Sequence, residues 1–144
     1  MRDRVSKTRR TPKLKEYGGH LMNKVDEIIN AYEISSEKIY NEAMHGMHDN
    51  RIISKEERKM SKLFYEFSKD ESIKMKCIEH LWNSRNAYSR VYAPIYCLAM
   101  NIYVDEAIMR LEELQNDMSV APFSSHAYIA LDLWKTNGKI TIDI

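Results

Sequence analysis

A chain of 144 residues that is 44% hydrophobic and 30% charged has room for one packed domain, and its composition excludes wholesale disorder. Only four of its residues are glycine, and it holds no phosphate-binding loop, Rossmann fingerprint or nucleophile elbow. The formal net charge of +1 conceals an asymmetry: residues 1–15 carry seven bases against Asp3, a net +6, and the rest of the chain is left at −5.

Taken in order, the chain begins with Arg2, Arg4, Lys7, Arg9, Arg10, Lys13 and Lys15 in a stretch without hydrophobic periodicity. Thr11-Pro12 and Gly18-Gly19 punctuate it, so residues 1–19 read as an extended basic arm ending in a glycine joint. No apolar run follows the charges, and no signal peptide is expected. From His20 the spacing turns helical through Leu21, Val25, Ile28, Ile29 and Tyr32, then Ile39, Ala43 and Met47. Ser35-Ser36 interrupts this stripe, with Ser35 positioned to cap a restarted helix. Gly46 is the natural stop, and His48 to Arg51 make a turn. Ser54-Lys55-Glu56-Glu57 has the capping-box pattern, which predicts a helix start there, with Met60, Leu63, Phe64 and Phe67 buried and an end near Lys69-Asp70.

Asp70 to Met118 is the longest apolar-periodic stretch, with Ile73, Cys77, Leu81, Tyr88, Val91, Ile95, Leu98, Ile102, Ala107, Leu111 and Leu114 at gaps suited to one helix face. Pro94 cannot donate to the carbonyl one turn back, so two helices meeting at Tyr92–Pro94 are expected in preference to one kinked helix. The most apolar window, Pro94 to Val104, is too short to span a bilayer, which takes about 20 residues. Cys77 and Cys97 lie on apolar faces and read as buried free thiols in a reducing, intracellular setting, the cytoplasm or a virion. After a break around Pro122 the period changes to two: Ile129, Leu131 and Leu133, then Ile140, Ile142 and Ile144, flank Asn137-Gly138, the preferred type I′ turn. The expected fold is therefore mainly α: a bundle of four to five helices over residues 20–118, followed over 119–144 by a loop and a two-stranded β-hairpin packed on it.

Three metal patterns compete here with plain polar helix ends. Glu42-Ala43-Met44-His45 has the spacing of carboxylate di-iron bundles but occurs once where two copies are needed. His45, His48 and Asp49 lack further ligands nearby in sequence. Gly46 to Glu57 fits a calcium loop poorly, since Gly46 and His48 would stand where carboxylates are required. No metal, cofactor or catalytic residue is expected, and the chain is read as non-enzymatic.

The arm is the principal functional feature: its cations would neutralise phosphates and release counterions, giving salt-sensitive binding to DNA or RNA. Ile78 to Tyr92 resembles the latter part of a helix-turn-helix, with Trp82 where the turn glycine would stand and Ile78 in place of a small residue. The resemblance implies base or phosphate contacts from Asn83, Arg85, Asn86 and Arg90; a continuous helix with a polar face is the alternative. A short basic arm on a helical body is also similar in layout to nucleic-acid-packaging and coat proteins, which implies a homo-oligomeric or nucleoprotein assembly. The competing reading is a small protein-interaction regulator or inhibitor, encoded by a virus or mobile element, acting on a protein partner through the helical face and hairpin edge.

Overall fold

The structure is a computed structural model that describes the backbone of residues 16–143 and side chains from Asn23 onward. The arm cations Arg2 to Lys15, and Ile144, lie outside the described residues. Six α-helices and one short 3-10 turn account for the fold: α1 (Glu16–Ala43), α2 (Asn50–Ser68), α3 (Glu71–Trp82), α4 (Ala87–Met100), α5 (Val104–Leu114) and α6 (Ser124–Asn137). There is no strand among the described residues, and no helix among them is long and apolar enough to cross a membrane.

α4 is the centre. It packs against α1, α3, α5 and α6, while α2 lies against α1 and α3. Ten of its fourteen residues are buried, Pro94 among them. The expected break at Tyr92–Pro94 does not occur: α4 runs through Pro94, and the breaks fall at Asn83–Asn86 and Asn101–Tyr103. A proline inside a helix costs about 3 kcal/mol, yet burial of one large apolar side chain returns about 1.5–3 kcal/mol. Val91, Ile95 and Leu98 alone outweigh the proline. Asn101 ends α4 in the left-handed region (φ 59°), which asparagine tolerates, and Ile102 N–H reaches back to the Cys97 carbonyl at 2.9 Å.

Three aspartates start the following turns in one manner. Asp49, Asp70 and Asp117 each accept a hydrogen bond from the backbone N–H two residues on, at 2.9, 2.9 and 2.8 Å. Asp49 thereby opens α2 a full turn before Ser54, so the capping box expected at Ser54 is not used. Glu56 is instead buried inside the helix. Ser35 and Ser36 likewise cap nothing; α1 is continuous through both, and their hydroxyls are spent on Glu56 and Ser89. Gly18 and Gly19 lie within α1 and so form no joint ahead of it.

The expected β-hairpin is replaced by α6. The alternation of Ile129, Leu131 and Leu133 is incidental, since Ile129 and Leu133 are 55% and 42% exposed. The buried stripe is Ala127, Ala130 and Leu131, with Trp134 packed beside it, which is helical spacing built partly from alanines. Asn137-Gly138 terminates this helix: Gly138 takes φ 72° and its N–H donates to the Trp134 carbonyl at 2.8 Å. Residues 139–143 then run without regular structure, with Ile140 and Ile142 packed on the core. Tyr65 fixes this tail by donating to the Ile142 carbonyl at 2.6 Å.

Cys77 and Cys97 are buried free thiols, and burial pushes both up to about 12. The helical identity of residues 124–137 is testable by substitution. Leu131→Ala should cost about 2–5 kcal/mol, while Leu133→Ala should stay within about 0.5 kcal/mol of the parent. Denaturant titration of the two variants measures this; equal losses would favour a sheet face over a helix.

Candidate functional site

Two groups of side chains do more than fill space. The first lies where α1 passes the α3–α4 link. Glu33 accepts from Ser84 Oγ (2.5 Å), from Asn86 Nδ2 (3.2 Å) and from Ser89 Oγ, while Ser89 and Ser36 share a 2.9 Å bond. Asn83, Arg85, Asn86 and Arg90, expected to reach nucleic acid, converge on this region with distinct roles. Asn83 closes α3 by donating to the Glu79 carbonyl (3.0 Å), and Asn86 is tied to Glu33. Arg90 donates to the Ser84 and Arg85 carbonyls (3.3 and 2.9 Å), and Arg85 is exposed. The stretch does divide into two helices. However, the second is the most enclosed in the molecule, so it offers no free face to a DNA groove.

The second group lines α2 on both sides. On one flank a cleft of about 500 Å³ opens between α2 and α4, bordered by Ser54, Glu57, Arg58, Tyr88 and Tyr92 and closed by the tail at Thr141–Asp143. Tyr88, Tyr92 and Tyr96 are four residues apart and form one ladder on α4. Tyr88 and Tyr92 stack at 4.4 Å, as do Tyr96 and Phe64. Every hydroxyl has a partner: Tyr88 donates to Glu57 (3.0 Å), Tyr92 shares a bond with His126 Nδ1 (2.7 Å), and Tyr96 shares one with Tyr32 (2.6 Å). Burial raises all four tyrosines above their ordinary range, Tyr92 to about 12, so they act as neutral hydrogen-bonding groups. Burial also lowers His126 below its ordinary value, against the pull of Glu57.

On the other flank a groove of about 450 Å³ between α1 and α2 holds Ile34, Lys38, Lys59 and Lys62. The ridge between the two clefts carries Lys55, Arg58, Lys59 and Lys62, all exposed and at spacing that places them on one face. The acids of α2 are engaged elsewhere. Glu56 accepts from Ser35 (2.8 Å) and sits 3.5 Å from Lys59. Although burial opposes ionisation, the Ser35 bond with Lys59 and Lys38 holds its carboxyl below the usual range. Glu57 takes the Tyr88 hydroxyl, and Glu66 pairs with Lys24 at 2.6 Å. Sequence counting missed this ridge because α2 mixes both signs; the inward aim of Glu56 and Glu57 and the Lys24 partner of Glu66 separate them.

The metal patterns resolve into loop staples. Glu42 Oε2 accepts from the Asp49 N–H (2.6 Å), and Asp49 pairs with Arg51 (3.0 Å). Among the described residues, no three His, Cys, Asp or Glu side chains cluster so as to hold a metal ion. Set against known families, curated proteins and solved structures, the chain matches none.

Two outcomes follow from these bonds. Glu33→Ala orphans the Ser84 and Asn86 donors, leaves Ser89 with Ser36 alone, and should cost about 1–3 kcal/mol for each buried group left unpaired; chemical denaturation reads the loss, and a variant as stable as the parent would show that the hub is not structural. His126, lowered on folding, binds its proton more weakly in the folded than in the unfolded chain. Its contribution is therefore complete above pH 6.5 and is lost as pH falls below that value. Thermal melts between about pH 7 and 5 should show a falling midpoint that flattens in His126→Phe; an unchanged slope would remove His126 as the cause.

Proposed function

We propose that this chain is a non-enzymatic, nucleic-acid-associated helical protein whose arm cations Arg2, Arg4, Lys7, Arg9, Arg10, Lys13 and Lys15 contact phosphates together with the outer ridge of α2. It acts inside the cell or a virion, within a homo-oligomeric or nucleoprotein assembly. The observation that carries this reading is the sorting of charge on α2, where Glu56 and Glu57 accept from hydroxyls of the fold, Glu66 pairs with Lys24 at the surface, and Lys55, Arg58 and Lys62 face outward. Outward cations at one-turn spacing suit successive phosphates, and phosphate contacts position a protein without reading sequence. Of Asn83, Arg85, Asn86 and Arg90, Arg85 is the exposed cation and suits the same role.

The regulator reading loses the hairpin edge it relied on. Its remaining support is the α1–α2 groove, where Ile34 is 56% exposed.

The test is fluorescence polarisation with a labelled duplex over a range of salt. Replacing the seven arm cations with glutamine should flatten the log–log salt slope by as much as about six, at about 0.9 for each lost phosphate contact. Lys55→Gln with Lys62→Gln should remove about two more. Helicity and melting temperature, followed by circular dichroism, should hold in the ridge variant because both side chains are exposed. An unchanged slope in both variants would leave the protein-interaction reading as the better one.

A further inference from the structure

A third cleft, of about 450 Å³, runs between α3 and α5 and has the opposite character to the α2 ridge. Met75, Trp82 and Tyr103 give it an apolar and aromatic lining, and Glu79 and Glu106 place carboxylates on its rim. Its size is that of clefts that take small ligands or a few side chains. Three observations point to a cation-bearing occupant. Glu79 stands in the last turn of α3, where the negative end of the helix dipole disfavours an acid unless a cation is near. An indole, a phenol and two carboxylates together are the surroundings that hold guanidinium and ammonium groups. Tyr103 keeps a left-handed backbone (φ 47°) and is 54% exposed, an arrangement that is strained for a bulky residue and positions it at the cleft.

We propose that this groove holds the basic segment 1–15 of its own chain and so competes with nucleic acid for the arm. The groove contact stands on the cleft's own residues; the competition rests on the reading of the arm given above. Charge complementarity selects the occupant, since residues 1–15 combine seven cations with Val5 and Leu14. Reach permits it. The Lys24–Glu66 pair fixes the early part of α1 beside the α2–α3 junction, and the groove lies beyond it along α3 from Met75 to Asn83, about 12 Å further on. The return from Glu16 to the level of Lys24 is about 12 Å along the helix, and fifteen extended residues cover up to about 50 Å. A tethered segment also meets the groove at millimolar effective concentration, which a free basic peptide does not match.

The experiment uses the full-length protein and follows the Trp82 indole N–H by heteronuclear NMR, with Trp134 as the internal reference. In the parent, the Trp82 signal should move with added salt towards the position it holds at every salt concentration when the seven arm cations are glutamine. Glu79→Gln with Glu106→Gln should place Trp82 at that released position already at low salt. An arm docked nine-tenths of the time lowers duplex affinity about tenfold, so this variant should bind a labelled duplex about tenfold more tightly than the parent. Glu112→Gln with Glu113→Gln makes the same change in net charge away from the groove and should reproduce neither effect. A Trp82 signal indifferent to the arm overturns the proposal, and so does an equal gain in duplex affinity from the control pair. A shift that grows with protein concentration assigns the groove to a second copy's arm and overturns the intramolecular contact. If Trp82 responds as stated while no variant binds duplex, the groove contact holds and the nucleic-acid reading fails.

Discussion

A helix enclosed by four others would ordinarily be apolar all round. α4 breaks that rule with Tyr88, Ser89, Tyr92 and Tyr96, and the fold is arranged around finding each hydroxyl a partner. A buried hydroxyl left unpaired costs about 1–3 kcal/mol, and these four together would rival the stability of a small domain, about 5–15 kcal/mol. The partners come from three different elements: Tyr32, Glu33 and Ser36 on α1, Glu57 on α2 and His126 on α6. Turning α4 by one residue would rotate its side chains by about 100° and break every one of these bonds at once. Apolar packing alone tolerates such slips, whereas paired hydroxyls do not, and this fixes a single register for the bundle.

The same requirement sorts charge on the surface. Glu33, Glu56 and Glu57 are drawn inward to satisfy hydroxyls, and of the cations beside them on α2 Lys59 reaches Glu56 while Lys55, Arg58 and Lys62 face the solvent. α5 has no such duty. Its buried face is Ala107, Leu111 and Leu114, and Asp105, Glu106, Glu112 and Glu113 remain outside. A body whose count is mildly acidic thus carries a basic ridge and an acidic groove on different flanks, and a basic segment has one surface to join and another to be held by.

Long apolar stripes were legible in the sequence. Ile73, Cys77 and Leu81 on α3, and Leu111 and Leu114 on α5, are buried as their spacing predicts. What misled was local punctuation read apart from packing. Pro94 looked like a boundary because the cost of proline is local, while the burial that offsets it comes from helices distant in sequence. Ser35 and Ser54 looked like caps because a serine's preference for helix ends is visible in sequence and its tertiary partner is not. Alanine hides the C-terminal helix in the sequence. Ala127 and Ala130 carry the buried face of α6, yet small side chains weigh little beside Ile129 and Leu133, which alternate convincingly and point outward. The charge on α2 was visible as composition, and its direction was set only by partners on α1 and α4.

The two thiols gain a use from their seats in this bundle. Cys77 and Cys97 lie on adjacent helices at 0% exposure, held as protonated thiols at neutral pH. An alkylating reagent attacks only the thiolate, and only when it can reach it. Labelling therefore proceeds no faster than α3 and α4 part to admit solvent, and the natural chain carries its own clock for opening at the centre of the bundle. Comparing the two sites would tell whether these helices separate together or one before the other, without any label being engineered into the molecule.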